Sequence, residues 1–271
     1  MKKVFIFDLD DTLMDNVHDY SQPILDATKY IIEAVGTKAP HVSKIIAMEH
    51  EIDKRRVNEV NPETGKPFLY SATRFPGTLV EVYREICRQT KVECKKGHEE
   101  KLYEIGMGAF NRERYRGTIR SWVYETLSSI YQKGDCAMLL TKGDPEVQQT
   151  KIDALFDYIA DREFYLRSGV YRNEFHKVKI VESNKTTEVF AEMLKDYDPA
   201  ETLVVPVGND YDKDVVPALQ LANYKVRGIW TPVESWELIG KLDEIRSKMD
   251  KERCLEFADV SEIPHRYKEL A

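Results

Sequence analysis

The stretch Lys3-Val4-Phe5-Ile6-Phe7-Asp8-Leu9-Asp10-Asp11-Thr12 decides the fold. It begins as a continuous apolar run and ends in acid. A run of this length and character fits a strand buried on both faces, as in a parallel sheet. Similar runs recur at 136–141 (CAMLLT), 202–208 (TLVVPVG), 224–230 (YKVRGIW) and, more weakly, 254–260 (CLEFADV). Helical patterns lie between them. In 118–133, Ile119, Trp122, Val123, Leu127, Ile130 and Tyr131 fall at helical spacing, and Gly134 stands where a C-cap glycine belongs. Residues 186–195 and 215–223 read as further short helices. From about residue 117 onward, helix and strand alternate, the pattern of an open α/β sheet.

Residues 15–115 behave differently. No strand pattern appears there. Helical spacing is visible at 21–35 (Ile24, Leu25, Thr28, Ile31, Ile32, Val35), 41–57, 78–88 (Leu79, Val82, Tyr83, Ile86) and 98–110. Gly36, Pro40, the turn from Asn61 to Pro67 and the Pro76-Gly77 pair separate these segments. The expectation is an all-helical domain inserted after the first strand.

Composition sets outer bounds. The chain has 271 residues, 42% hydrophobic and 32% charged, with a formal net charge of −7. That is the profile of a globular protein, long enough for one large domain or two modest ones. The acidic balance argues against broad nucleic-acid or anionic-membrane binding. Cys87, Cys94, Cys136 and Cys254 form neither a C-x-x-C pair nor a disulfide framework, so reduced thiols are expected. The apolar start stops at Asp8, too early for a secretory h-region, and no segment is apolar enough to span a bilayer. The expected location is cytoplasmic.

The chemistry gathers at strand ends. In open α/β sheets, ligands bind beyond the carboxyl ends of the strands. Asp8 and Asp10 lie two apart, so extended backbone points both to one side. Two carboxylates that close repel each other and attract a hard cation such as Mg²⁺. The 136–141 run ends in Leu140-Thr141-Lys142-Gly143-Asp144, a hydroxyl and a glycine turn suited to phosphate oxygens. The 202–208 run ends in Gly208-Asn209-Asp210-Tyr211-Asp212-Lys213-Asp214, a second acidic loop. Any one of these reads equally well as a solvated turn or a helix N-cap. The three together, in this order, do not.

These motifs make the chain resemble the haloacid dehalogenase-like (HAD) superfamily of phosphohydrolases, over residues 1–14 and 117–271. The resemblance rests on Asp8-x-Asp10-x-Thr12, Thr141 after an apolar strand, a lysine before the 202–208 strand, and Gly-Asn-Asp…Asp214 followed by Val-Val-Pro-Ala. It implies an α/β fold: a Rossmann-like parallel-sheet core with helices on both faces and an inserted all-helical cap domain, residues 15–116. It also implies a Mg²⁺-dependent phosphatase acting on a small phosphorylated metabolite. Asp8 would be the nucleophile. Asp10 would be the acid and then the base, its proton affinity raised by a neighbouring carboxylate. Thr12 would bond within the loop and orient Asp10. Thr141 and the Lys142 N–H would hold phosphoryl oxygens. Mg²⁺ would sit between Asp8, the Asp10 carbonyl and the 208–214 loop.

Two assignments stay open in the sequence. Lys177, Lys179 and Lys185 all precede the strand, with Lys185 favoured because it starts a helical segment. Either Asn209 or Asp210 would bind the metal, with Asp214 acting through water or anchoring the lysine. In the insert, Arg74 in the Arg74-Phe75-Pro76-Gly77 turn is the first candidate to grip a second anionic group. Other readings are a phosphosugar mutase or another phosphotransferase, and a non-catalytic HAD-like binding protein. Dehalogenation fits less well, because it usually goes without a second acid at the position of Asp10. The sequence leaves the oligomeric state unassigned.

Overall fold

The computed structural model describes residues 1–16, 20–166, 175–233 and 240–270. The chain divides into two compact units, Met1–Val17 with Tyr115–Ala271, and His18–Arg114.

The first unit is built on a parallel sheet. Its strands are β1 (Lys2–Phe7), β2 (Cys136–Lys142), β3 (Val178–Val181), β4 (Thr202–Gly208), β5 (Lys225–Val226), β6 (Gly228–Trp230) and β7 (Cys254–Glu256). The order is β3-β2-β1-β4-β6-β7, with β5 also on β4. β1 is central, with a strand on each edge, and its Val4–Phe7 run is buried because Val4 and Ile6 pack in one core cluster while Phe5 and Phe7 meet Tyr267 and Phe175. Pro206 interrupts an otherwise apolar β4. It has no N–H, and it falls between the β5 pairing at Val204 and the β6 pairing at Val207. The 224–230 run is accordingly two short strands rather than one, and the 254–260 run is a strand only to Glu256. The edge strand β3 has no counterpart in the sequence reading. It is only partly buried, four residues long, and broken by Lys179, so no apolar run marks it.

The second unit is helical: α1 (Ser21–Val35), α2 (Val42–Arg56), α3 (Arg74–Thr90) and α4 (Lys96–Met107). Helix α5 (Arg112–Thr118) straddles the boundary between the units. Ile31, Ile45, Ile52, Leu79, Val82, Ile86 and Leu102 form the core of the helical unit. Where α3 meets α4, a Cβ on Gly106 would lie 2.6 Å from Pro76 Cα, so only glycine permits the approach.

Arg74 is not in a turn. It opens α3, whose first turn absorbs Pro76 because N–H groups there need no intrahelical acceptor. Its guanidinium is buried and donates to the Asp53 carboxylate, to which Thr78 Oγ1 also donates at 3.1 Å. The expectation of a substrate-gripping Arg74 gives way to a cation engaged inside its own unit.

Beside this pair lies Glu49, buried and one helical turn before Asp53. Burial, and then the Asp53 charge, push its pKa up to about 8 against the pull of Arg74. Below pH 4.5 folded and unfolded chains both hold the Glu49 proton. Between there and about pH 8 only the folded chain keeps it, so stability falls as pH rises. Glu49→Gln removes this dependence. The variant should gain ~1–3 kcal/mol over the parent at pH 8 and little at pH 4.5, read by urea unfolding across pH.

Candidate active site

The remaining helices of the first unit are α6 (Val123–Gln132), α7 (Pro145–Leu166), α8 (Thr187–Met193), α9 (Val216–Leu219), α10 (Leu242–Lys248) and α11 (Ile263–Arg266). Asp8 follows the last residue of β1, and its N–H donates to the Val207 carbonyl at 2.8 Å. The chain then turns tightly. Asp11 takes a left-handed φ of 57°, and its carboxylate accepts the Asn16 N–H at 2.8 Å. Thr141 lies at the same edge on β2, the Gly208–Asp214 loop follows β4, and Lys185 precedes α8.

Asp8, Lys185 and Asp214 form one buried cluster. Lys185 Nζ donates to Asp8 Oδ1 at 2.5 Å and to Asp214 Oδ1 at 2.7 Å. Their side chains are only 5%, 10% and 6% exposed. Asp214 Oδ2 accepts the Asp210 N–H at 3.0 Å. A Cβ at Gly208 would stand 2.3 Å from that same oxygen, so glycine makes the room Asp214 occupies. Burial favours neutral Lys185, yet Asp214 and Asp8 outweigh it and hold its pKa above the ordinary lysine value. Burial likewise pushes Asp8 up to about 8, against Lys185, with Asp214 and Asp10 adding to the rise. Two buried carboxylates thus share one ammonium, and the cluster is short of positive charge.

Of the three candidate lysines, Lys185 is the one that reaches Asp8. Lys177 is bonded to the Met193 carbonyl and Asp196, and Lys179 to Glu192. The two loop candidates also differ. The Asp210 carboxylate accepts the Lys213 N–H at 3.2 Å and pairs with Lys213 Nζ at 2.8 Å, capping the π-helical turn Tyr211–Val215. Asn209 is buried, and its carbonyl accepts Trp230 Nε1 at 2.8 Å.

Among the described residues, no three His, Cys, Asp or Glu side chains are grouped to hold a metal ion. The donor set still suits Mg²⁺. That ion takes hard oxygens, keeps several waters and needs only one or two carboxylates. Asp8 and Asp214 are such carboxylates, in a cluster short of positive charge, and Asn209 and Asp210 carry further hard oxygens on the loop after β4.

Asp10 has partners that the sequence reading missed. Lys151 Nζ donates to its Oδ1 at 2.7 Å, and Gln148 Nε2 to its Oδ2 at 2.9 Å. Both come from α7, whose first turn is capped by Asp144 Oδ1 accepting the Glu146 and Val147 N–H groups. Thr141 Oγ1, fully buried, donates to Gln148 Oε1 at 2.9 Å. Thr12 does not orient Asp10. Its N–H bonds back to the Leu9 carbonyl at 3.3 Å, and its buried hydroxyl has no partner among the described residues. The loop closes through main chain, and the side chain is folded in beneath it. Lys142 Nζ points to Asn184 Oδ1 at 3.0 Å.

No protein-family model matches the sequence, and a comparison with curated proteins finds no match. Solved structures do match. A haloacid dehalogenase-like family hydrolase from Xanthomonas campestris aligns over 99% of this chain and 91% of its own, with TM-score 0.59 and 20% identity. A 2-haloacid dehalogenase from Pseudomonas syringae pv. Tomato DC3000 aligns over 100% of both chains, with TM-score 0.55 and 20% identity. A HAD-hydrolase from Bacillus subtilis bound to magnesium covers 97% of both, with TM-score 0.50 and 14% identity. The chain has the HAD-like hydrolase fold. The expected α/β architecture, a parallel sheet with Rossmann-like order, is therefore the observed one. Among the described residues no helix is long and apolar enough to cross a membrane.

In this HAD-like core Lys185 is the electrostatic keystone. Lys185→Met leaves Asp8 and Asp214 buried without their shared cation and should cost ~3–5 kcal/mol. Urea unfolding at pH 7, followed by the fluorescence of the buried Trp230, measures it.

Proposed function

We propose that this chain is a Mg²⁺-dependent phosphatase that hydrolyses a small phosphorylated metabolite through an aspartyl-phosphate on Asp8. The observation that carries the reading is the buried Asp8–Lys185–Asp214 cluster at the carboxyl end of the central strand, with Asp10 two residues further on.

Asp8 attacks phosphorus. One Asp8–phosphorus bond forms, and the bond from phosphorus to the ester oxygen breaks. The proton carried by Asp10 goes to that departing oxygen. Water then attacks phosphorus and passes one proton to Asp10, the Asp8–phosphorus bond breaks, and inorganic phosphate leaves with both groups restored. Lys185 fixes the attacking carboxylate and offsets its charge. Asp214 fixes Lys185. Thr141 lies at the next strand end, where the Lys142 N–H would donate to a phosphoryl oxygen, while the Thr141 hydroxyl spends its proton on Gln148 Oε1. Asp8, the Asp10 carbonyl and Asn209 would hold Mg²⁺, which supplies charge neutralisation between the carboxylate and the phosphate.

Asp10 is what separates this reading from dehalogenation, since an alkyl halide needs no proton on its leaving group. A helical insert as large as His18–Arg114, joined directly after the Asp8 loop, supports a small substrate over a phosphoprotein.

Hydrolysis of p-nitrophenyl phosphate should require added Mg²⁺ and stop with chelator. Asp8→Asn should lower kcat by about 10³-fold or more, since the residue forms the covalent intermediate. Retained turnover in Asp8→Asn removes the aspartyl-phosphate from the reading. Release of chloride from 2-chloropropionate without Mg²⁺ would replace phosphatase by dehalogenase.

A further inference from the structure

We infer that Lys151 and Gln148, two residues of α7, are positioning residues for Asp10 and set how well it serves a poor leaving group. The inference rests on the reading of Asp10 as the acid.

Asp10 sits in a loop, and a loop alone does not fix a carboxylate. The Thr12 hydroxyl does not hold it, since among the described residues that hydroxyl has no hydrogen-bond partner. The support comes from a rigid helix instead. Lys151 holds Oδ1 and Gln148 holds Oδ2, so both ends of the carboxylate are tied to one helix. Each oxygen keeps a further lone pair for the proton it exchanges.

The two supports are themselves fixed. Lys151 and Gln148 are both only 4% exposed. The ammonium also donates to Asn16 Oδ1 at 2.7 Å and lies 5.1 Å from the ring centroid of Tyr115. Gln148 is oriented by Thr141, which occupies its amide oxygen and so turns its NH₂ toward Asp10. A Cβ at Gly143 would fall 2.7 Å from Gln148 Nε2, so a glycine keeps that path open. A buried lysine on a helix face is costly unless it is paired. Here the pairing is with the acid of the proposed reaction, one turn along from a glutamine with the same target. Thr141 therefore acts through Gln148, whose amide it turns toward Asp10.

Positioning of an acid has a signature that loss of structure lacks. An ester whose departing oxygen needs a proton suffers, and one whose departing oxygen does not is spared. The test compares an alkyl phosphate, glycerol 1-phosphate, with p-nitrophenyl phosphate at saturating Mg²⁺. Lys151→Met and Gln148→Leu should lower kcat on the alkyl ester at least about tenfold more than on the aryl ester, with KM changed by less than about twofold. Lys151→Arg, which keeps the charge, should recover part of the loss. In an Asp10→Asn background, Lys151→Met should add no more than about twofold, because the residue acts through Asp10. Gly143→Ala, which moves the Gln148 amide, should reproduce the ester-selective loss. Where Lys151→Met does not fold, Gln148→Leu and Gly143→Ala carry the test. Equal losses on both esters, no loss on either, or full additivity with Asp10→Asn overturns the inference while the phosphatase reading stands. A parent chain inert toward both esters overturns that reading, and this inference with it.

Discussion

One ammonium between two buried carboxylates constrains everything around it. Lys185 must reach Asp8 and Asp214 at once, from a segment far from both in sequence. This is possible only if β1 and β4 are neighbours, so that Asp8 and the loop after Gly208 emerge side by side. The parallel register does this, with Phe7 opposite Val207. It also requires a glycine at 208, since a Cβ there would collide with the Asp214 carboxylate. The cost of burying two like charges is recovered only while the lysine is in place. The tolerance of a proline in the centre of β4 belongs to the same design. The strand keeps its β1 pairing through Pro206 and gives up ladder bonding only where β5 ends and β6 begins.

Much of this was legible from residue order. A strand buried on both faces needs apolar residues at every position, so β1, β2 and β4 stand out as unbroken runs. Three such runs end in the residues Asp8, Thr141 and Gly208–Asp214, and the topology brings those ends to one edge of the sheet. The inserted helices were legible because one face of each is apolar at helical spacing. Edge strand β3 was not, because a strand covered on one side has no reason to be apolar throughout. Arg74 was misread for a related reason. Pro76 looks like a breaker in sequence, yet in the first turn of a helix it displaces no hydrogen bond.

The partners of Asp10 were the larger omission. In Pro-Glu-Val-Gln-Gln-Thr-Lys, Gln148 and Lys151 look like the solvated face of a helix. Propensity and charge cannot distinguish a lysine facing water from one buried against an acid more than a hundred residues away. Their spacing was the available signal. They stand three apart at the start of a helix that directly follows Thr141-Lys142-Gly143, so they share a face one turn long beside a strand end. Thr12 shows the converse error. A short hydroxyl two residues past Asp10 invites a local bond, but the turn is closed by the main chain and the buried hydroxyl has no partner among the described residues.

The charge balance bears on why position 209 is an asparagine. Asp8, Asp10 and Asp214 face Lys151 and Lys185, so three carboxylates and two ammoniums leave one formal negative charge. Asp210 is balanced by Lys213 and adds nothing. On the proposed reading Asp10 carries its proton when the substrate arrives, so Asp8 and Asp214 balance Lys151 and Lys185, and a divalent ion makes the site net positive by two, which draws in a phosphate dianion. A carboxylate at 209 would halve that surplus. It would hold the ion more tightly but weaken the attraction for the substrate. The amide oxygen still donates to a hard cation and leaves the surplus charge for the phosphate. The site would then bind its metal more weakly and its anionic substrate more strongly than a relative with aspartate at this position. Asn209 is buried, and the Trp230 indole N–H holds its main-chain carbonyl, so the position of this residue is fixed by the core.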